Sequence, residues 1–319
     1  MVRCKGPTHV QAAWSRLIAA RYAKAVGDTA ICTLYDIRKA FDHLDWRAIM
    51  SAAKELGFPM MLLRFLLVLY GLTRYVVIGR GIVRESILVR STVAGCTFAD
   101  IIMFIVMRIV DDKVRKAAPH AHTAVVADDF QVLVTKPREQ AIRITLAAHS
   151  AARKAFADAG LPIAANKQIL LASDDKTARE VEGADSSLSG SRRKTARSLG
   201  IEFTLGKLRY TIVFAARAHK TKKKILKVKT MEKAGVDTSH YVVGLINSSH
   251  TYGSDCIGAS WSQMQICIRA AHRAVTRSPM GRSATLDLAL SRAEVTALDP
   301  RYRLNSGPIV ALASALWEN

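Results

Sequence analysis

Cysteine is sparse in this chain, and acidic residues are outnumbered by basic ones. The five cysteines, Cys4, Cys32, Cys96, Cys256 and Cys267, are scattered without a C-x-x-C pair. That spacing excludes a disulfide scaffold and a zinc knuckle. Long apolar runs are missing too. Arg64 interrupts Met60–Tyr70, while Asp100 and Arg108 interrupt Phe98–Val110. Both stretches fall short of the roughly 18–20 residues that cross a bilayer. With no signal peptide visible, a soluble intracellular protein without a membrane partner is expected. Asp and Glu number 26 against 47 Lys and Arg, a net charge of +21. Such a surplus calls for a polyanionic partner, nucleic acid first. Half of the 319 residues are hydrophobic, enough for one large domain or two ordinary ones and too many for a disordered basic tail.

The periodicity predicts a mixed α and β chain. Thr8–Ala25 has helical spacing and is broken by Gly27-Asp28. The β-rich run Ala30–Asp36 follows, then helices over Leu44–Gly57 and Met60–Gly71 split by Pro59. Arg74–Ile78 and Ser86–Val89 read as a hairpin around Gly79-Arg-Gly81. Thr97–Ala117 is a long buried helix, Thr123–Ala127 and Phe130–Thr135 are strands, Glu139–Ala159 is a helix ended by Gly160, and Lys167–Leu171 is a strand. The polar stretch 173–197 reads as a loop or insertion. A hairpin is expected from Ser198–Phe203 and Lys207–Val213 around Gly206, with mostly helical sequence beyond it. Helices crossing between antiparallel strands predict the α+β class, a sheet covered by helices on one face.

Three Asp-Asp pairs stand out, and their contexts separate them. Asp111-Asp112 lies near a helix end beside Lys113 and Arg115 and reads as a solvated helix surface. Asp174-Asp175 reads as an exposed turn. Asp128-Asp129 is flanked by apolar β sequence on both sides, so a tight hairpin would hold both carboxylates at its tip. Adjacent carboxylates repel and are costly to desolvate, and a divalent cation removes that cost. An ordinary Asp-rich turn fits the pair equally well. Asp36 tips the balance, because it ends another β run and would complete an acidic cluster if the strands are neighbours. Hard oxygen ligands suit Mg²⁺. Two ions about 3.5–4 Å apart clamp the attacking and leaving oxygens of an in-line phosphoryl displacement.

At this point the chain resembles a known family. Tyr35-Asp-Ile-Arg-Lys-Ala-Phe-Asp42 is similar to the first palm motif of reverse transcriptases, especially those of non-LTR retrotransposons and group II introns. Val126-Ala-Asp-Asp129 resembles their Tyr-Ala-Asp-Asp box, and Val93-Ala-Gly-Cys-Thr-Phe98 their Pro-Gln-Gly-Cys/Ser-Pro segment. Gly160-Leu-Pro-Ile-Ala-Ala-Asn-Lys167 resembles the Gly-Leu…Asn-x-x-Lys motif, and Leu199-Gly200 the Leu-Gly of the primer-grip hairpin. The order of these motifs over about 30–205 is more specific than any one of them.

The resemblance implies an RNA-directed DNA polymerase that extends a DNA primer with dNTPs on an RNA template, using two Mg²⁺ ions, with Mn²⁺ as an alternative. Asp36 and Asp128 would be the main metal ligands and catalytic residues, supported by Asp129. Phe41 falls at the steric-gate position, where a bulky ring blocks a ribose 2′-OH; the alternative is a core phenylalanine. Gly95 falls at a close backbone approach to nucleotide and template, or is a helix-entry glycine. Lys167 matches a lysine that approaches the triphosphate, or is a solvated strand-end lysine. Arg192, Arg193, Lys194, Arg197, Lys220, Lys222, Lys223, Lys224, Lys227 and Lys229 form a basic run where the family's thumb begins. That run would track an RNA–DNA duplex through its phosphates; the alternative is a solvated basic face or a nuclear-import signal.

The implied domains are a remnant of the fingers over 1–29, a palm over 30–205 containing the insertion 173–197, and a helical, basic thumb-like region over 206–319. The implied location is intracellular, and nuclear if the source is a eukaryotic retroelement. Only 35 residues precede Asp36, Val126 replaces the usual aromatic, and Ala94 and Ala164 replace Gln and Asn. These departures keep two alternatives open: a truncated or degenerate relative that binds nucleic acid without polymerising, and a palm polymerase with another template.

Overall fold

The computed structural model describes residues 9–78, 81–85, 91–92, 96–206, 211–276 and 278–317. They divide into two compact units, Ala19–Lys194 and a second formed by Met1–Ile18 with Thr195–Asn319.

The first unit is organised by a four-stranded antiparallel sheet. Its strands are β1 (Thr29–Tyr35), β4 (His122–Val126), β5 (Asp129–Lys136) and β6 (Ile169–Ala172), in the order β4-β5-β1-β6. The central position of β1 explains its sequence. TAICTLY does not alternate polar and apolar residues, and nearly every side chain is buried, as a strand covered on both faces requires. One face presents Ile31, Tyr35, Phe130, Val132 and Val134 to the main core. The other presents Ala30, Cys32, Leu34 and Leu133, also buried. Two long helices, α5 (Thr97–Ala117) and α6 (Arg138–Asp158), pack on this sheet. Their apolar stripes, Ile102, Met103, Val106, Val110 and Val114 on α5 and Ala141, Ala148, Ala152 and Phe156 on α6, recur at helical spacing.

Between β1 and α5 the chain forms α2 (Ala40–His43), α3 (Trp46–Glu55), α4 (Met60–Gly71) and a hairpin of β2 (Arg74–Ile78) and β3 (Gly81–Glu85). The expected second strand at Ser86–Val89 lies outside the described residues. The opening helix is α1 (His9–Ala25).

Two readings of polar sequence need correction. The stretch taken as a loop contains α7 (Asp175–Ala184), started by Asp174, whose side chain accepts from Thr177 N at 2.8 Å. Asp174-Asp175 is therefore a helix cap and first turn, not a free turn. Asp111 is not solvated. It is 3 % exposed, and Arg115 reaches its Oδ2 at 3.0 Å while Arg108 reaches the same atom at 3.5 Å. Those arginines supply the countercharge that burial demands.

In the second unit, β7 (Ala196–Ser198) and β8 (Ile201–Phe203) pair around Leu199-Gly200. Helix α8 (Ile212–Lys233) follows. The hairpin expected around Gly206 is thus one turn earlier, and Ile212 and Val213 are helical; residues 207–210 lie outside the described set. The remaining helices, chief among them Trp261–Val275 and Pro300–Trp317, share a core of Val242, Ile246, Cys267, Ala271 and Leu298. A capping box between Ser260 and Gln263 starts the former.

Candidate active site and nucleic-acid interface

The strand register brings the sequence-predicted acids to one end of the sheet. Tyr35 pairs with Phe130, so Asp36 and Asp129 each lie one residue beyond that pair, facing each other across adjacent strands. Val126 pairs with Asp129, which leaves Ala127 and Asp128 as a two-residue turn between β4 and β5. Side chains alternate along a strand. Tyr35 and Phe130 point into the core, with ring centroids 5.7 Å apart, and both Phe130 and Tyr35 pack on Phe156. Asp36, Asp128 and Asp129 are accordingly only half-buried. An aromatic floor thus supports an acid-bearing sheet end.

After Asp36 the chain leaves the sheet and runs beside 162–164. Arg38 N donates to Pro162 O and Ala164 N to Asp36 O, each at 2.9 Å. Ile37 and Ile163 form the bridge between them. This pairing carries the following turn, Ala165–Lys167, to the acids. Lys167 Nζ donates to both carboxylate oxygens of Asp36, at 3.2 and 3.4 Å. Lys167 is therefore not an isolated strand-end lysine.

Backbone strain gathers on the same segments. Lys39, Ser91 and Ala127 have φ of 46°, 85° and 53°, left-handed values that cost a non-glycine residue roughly 1–2 kcal/mol. Lys39 lies between Asp36 and Phe41, and Ala127 is in the acidic turn. Ser91 is docked on the segment after Phe41: Ser91 N donates to Leu44 O at 3.0 Å and Thr92 N to Phe41 O at 3.2 Å. Such outliers cluster where function fixes a conformation. Phe41 is half-buried and packs against the main core, so its ring is partly core and partly open. Gly95 lies outside the described residues, although the stretch leading to it begins at this anchored Thr92.

The donor chemistry suits a hard divalent ion, since three carboxylates share one sheet end and their oxygens are hard ligands. Among the described residues, however, no group of three acidic, histidine or cysteine side chains is gathered tightly enough to hold an ion. The Lys167 ammonium is the cation that Asp36 meets here.

The basic run divides into unlike parts. Arg192 is committed to ion pairs within its own unit, with Asp175 at 2.7 Å and Glu182 at 3.3 Å. Arg193 donates to the Gly190 and Arg192 carbonyls. Lys194 is exposed. In the second unit Arg197, Lys220 and Lys224 line an open groove of about 830 Å³ with Ser248, Ser249 and Tyr252. Lys224 Nζ donates to Ser249 Oγ at 2.8 Å. Lys222, Lys223 and Lys227 are exposed and Lys229 is half-buried; none of the four lines the groove.

Arg217 was not singled out by sequence reasoning, yet it too lines the groove. Its guanidinium lies 5.2 Å from the Tyr252 ring centroid and donates to the carbonyls of Gly200 and Tyr252. Burial, and then the neighbouring Arg197, push its pKa down, and the Glu202 carboxylate opposes them only in part. Spacing was the available signal, because 217, 220 and 224 fall on one helix face. Tyr252 OH donates to Leu199 O at 3.0 Å, so Arg217 and Tyr252 together clamp the Leu199-Gly200 turn.

Gly200 has φ 77°, and an added Cβ would stand 2.9 Å from Tyr252 Cε1. Gly200→Ala should lower stability by roughly 1–3 kcal/mol and open the clamp. Urea unfolding measures the first effect; unchanged stability would show that the turn is not held as described.

The reverse transcriptase (RNA-dependent DNA polymerase) family model matches residues 7–203. The chain belongs to that family. Among solved structures it is similar to a telomerase from Candida albicans in complex with a TWJ fragment of telomeric RNA, at 12% identity and a TM-score of 0.44. The similarity covers 96% of this chain and 48% of that one, so this chain spans about half its length. No curated protein matches. Enzymes of this family are nucleotidyltransferases that generally use divalent metal ions.

Proposed function

We propose that the chain is the polymerase domain of a retroelement reverse transcriptase, of the non-LTR or group II intron type, extending a DNA primer with dNTPs on an RNA template. The carrying observation is the register that sets Asp36 opposite Asp129 beside the Ala127-Asp128 turn. Asp36, Asp128 and Asp129 would hold the ions, Mg²⁺ or Mn²⁺. When bound, two such ions stabilise the attacking and leaving oxygens of an in-line displacement. Lys167 balances the charge of Asp36 and stands where it can meet the incoming triphosphate. Phe41 excludes a ribose 2′-OH by bulk. Arg197, Lys220 and Lys224 hold phosphates of the RNA–DNA duplex, and the exposed Lys222, Lys223 and Lys227, with the half-buried Lys229, add to the field that attracts it. For a eukaryotic element the site of action is the nucleus.

Primer extension on an RNA template tests this reading. Synthesis should require a divalent ion and dNTPs. Phe41→Ala should raise NTP incorporation relative to dNTP by at least about tenfold, the loss of a steric barrier of roughly 1.4 kcal/mol. Extension that ignores chelation would sink the site.

The Asp36–Lys167 pair, in which the carboxylate already meets a cation, favours a second reading: a family member that binds nucleic acid without polymerising. Binding retained without any divalent-dependent synthesis would select it.

A further inference from the structure

His149 lies on α6, fully buried, inside the first unit. Its ring nitrogens are fully used. Tyr35 OH lies 2.8 Å from Nδ1, and Gln168 Nε2 lies 3.4 Å from the same atom. Nε2 lies 2.9 Å from Ser187 Oγ and 3.6 Å from Asp185 Oδ2. Ser187 Oγ in turn donates to Asp185 Oδ1 at 2.6 Å. One proton arrangement satisfies every contact. Nδ1 accepts from Tyr35 and Gln168, Nε2–H donates to Ser187, and the chain ends on the Asp185 carboxylate. Burial, with Arg153 adding to it, lowers the pKa of His149 to about 4, so the ring is neutral, as this arrangement needs.

Both donors to Nδ1 are sequence neighbours of the site. Tyr35 precedes Asp36, and Gln168 follows Lys167. The Tyr35 ring also stacks on the imidazole, with centroids 5.7 Å apart and planes 17° from parallel. The two residues that meet in the Asp36–Lys167 pair are therefore each fastened, one position away, to a single acceptor atom in the core. A buried polar network that is fully satisfied makes one arrangement rigid, and partners behind a ligand set its orientation.

We propose that His149 is a positioning residue that sets Asp36 against Lys167 through Tyr35 and Gln168. This rests on the reading of Asp36 as a metal ligand only for its effect on catalysis; the mechanical link stands on its own.

The test compares His149→Leu, which removes the acceptor, with His149→Asn, whose Oδ1 can stand near the Nδ1 position. Tyr35→Phe removes one donor with little change in packing and serves if His149→Leu fails to fold. Amide hydrogen exchange at Arg38 and Ala164 reports the pairing of the two site segments. In His149→Leu, exchange there should rise at least about tenfold above any change in the rest of the sheet. His149→Asn should restore it to within about twofold, and Tyr35→Phe should give an intermediate rise. Affinity for Mn²⁺ alone, read from the free-ion electron paramagnetic resonance signal, should fall by about tenfold in His149→Leu. Exchange that is unchanged at these two amides, or raised equally across the whole sheet, would reduce His149 to core packing and overturn the proposal. Mn²⁺ binding unaffected by Asp36→Asn would instead overturn the metal assignment, leaving the exchange comparison to judge His149.

Discussion

Replacing Asp128 with asparagine should cut primer extension by at least about a thousandfold, a loss of roughly 4 kcal/mol of transition-state stabilisation. The substitution keeps the shape of the side chain and removes its charge and one anionic oxygen. Asp128 occupies a half-buried turn position outside the strand ladder, so the fold should lose little, within about 0.5 kcal/mol. Duplex binding should stay within about twofold, because the phosphate-holding residues are elsewhere. The combination is diagnostic: a lost rate with retained binding and retained stability is the signature of an interaction made only in the transition state. Asp158→Asn is the matched control. That carboxylate is a surface partner of Lys113 at 2.8 Å, and its loss should leave extension unchanged. Wild-type rates in Asp128→Asn would remove the turn from the chemistry altogether.

How much of this site could be read beforehand depends on how local each signal is. The strands and the acidic turn were legible because apolar β sequence flanks Asp128-Asp129 on both sides, and β1 is a short apolar run ending in an acid. The long helices α5 and α6 repeat their buried residues over many turns. Helix α7 was not legible, because its buried stripe is only Thr177, Ala178 and Val181 within a polar stretch. Ser, Asp and Lys in that stretch favour turns as readily as a helix start. Asp111 misled for a different reason: the arginines that neutralise it, at i−3 and i+4, look the same in sequence whether the carboxylate is buried or solvated. The resemblance picked out Leu199-Gly200, but local pattern put the hairpin's turn at Gly206, because Leu199 has φ 50°, a conformation its residue type does not advertise. The Lys167–Asp36 contact and the His149 network join residues far apart in sequence. No spacing rule encodes them, and a lone histidine on an apolar helix face reads as core.

Acid should weaken the second unit in a window where its carboxylates are not yet titrating. His250 is 3 % exposed, and neither ring nitrogen has a hydrogen-bond partner. Burial first, and then the Lys224 ammonium, lower its pKa from 6.5 to about 4. The folded pKa is below the unfolded one, so between these values the unfolded chain binds more protons and stability rises with pH. Above about pH 6.5 the ring is neutral in both states and contributes no pH dependence. As pH falls from 6.5 to 4 the unfolded state gains a proton that the folded state refuses, and stability drops by up to about 3 kcal/mol before levelling. Asp237 and Asp287 are held below the usual carboxylate value of 3.8, by the Ser239 backbone hydrogen bond and the His272 hydrogen bond respectively. Their stabilising contributions are lost mostly below pH 5, as their unfolded carboxylates gain protons. The interval from pH 6.5 to 5 therefore isolates the two buried histidines, His250 in this unit and His149 in the other, from the carboxylates. His250→Leu removes a polar ring whose nitrogens are unsatisfied and should remove its share of that limb, leaving the part due to His149, while raising stability at pH 7 by roughly 1 kcal/mol. Urea unfolding at half-unit pH steps measures both effects. An acid limb equally steep in His250→Leu would mean that the protons are taken up elsewhere.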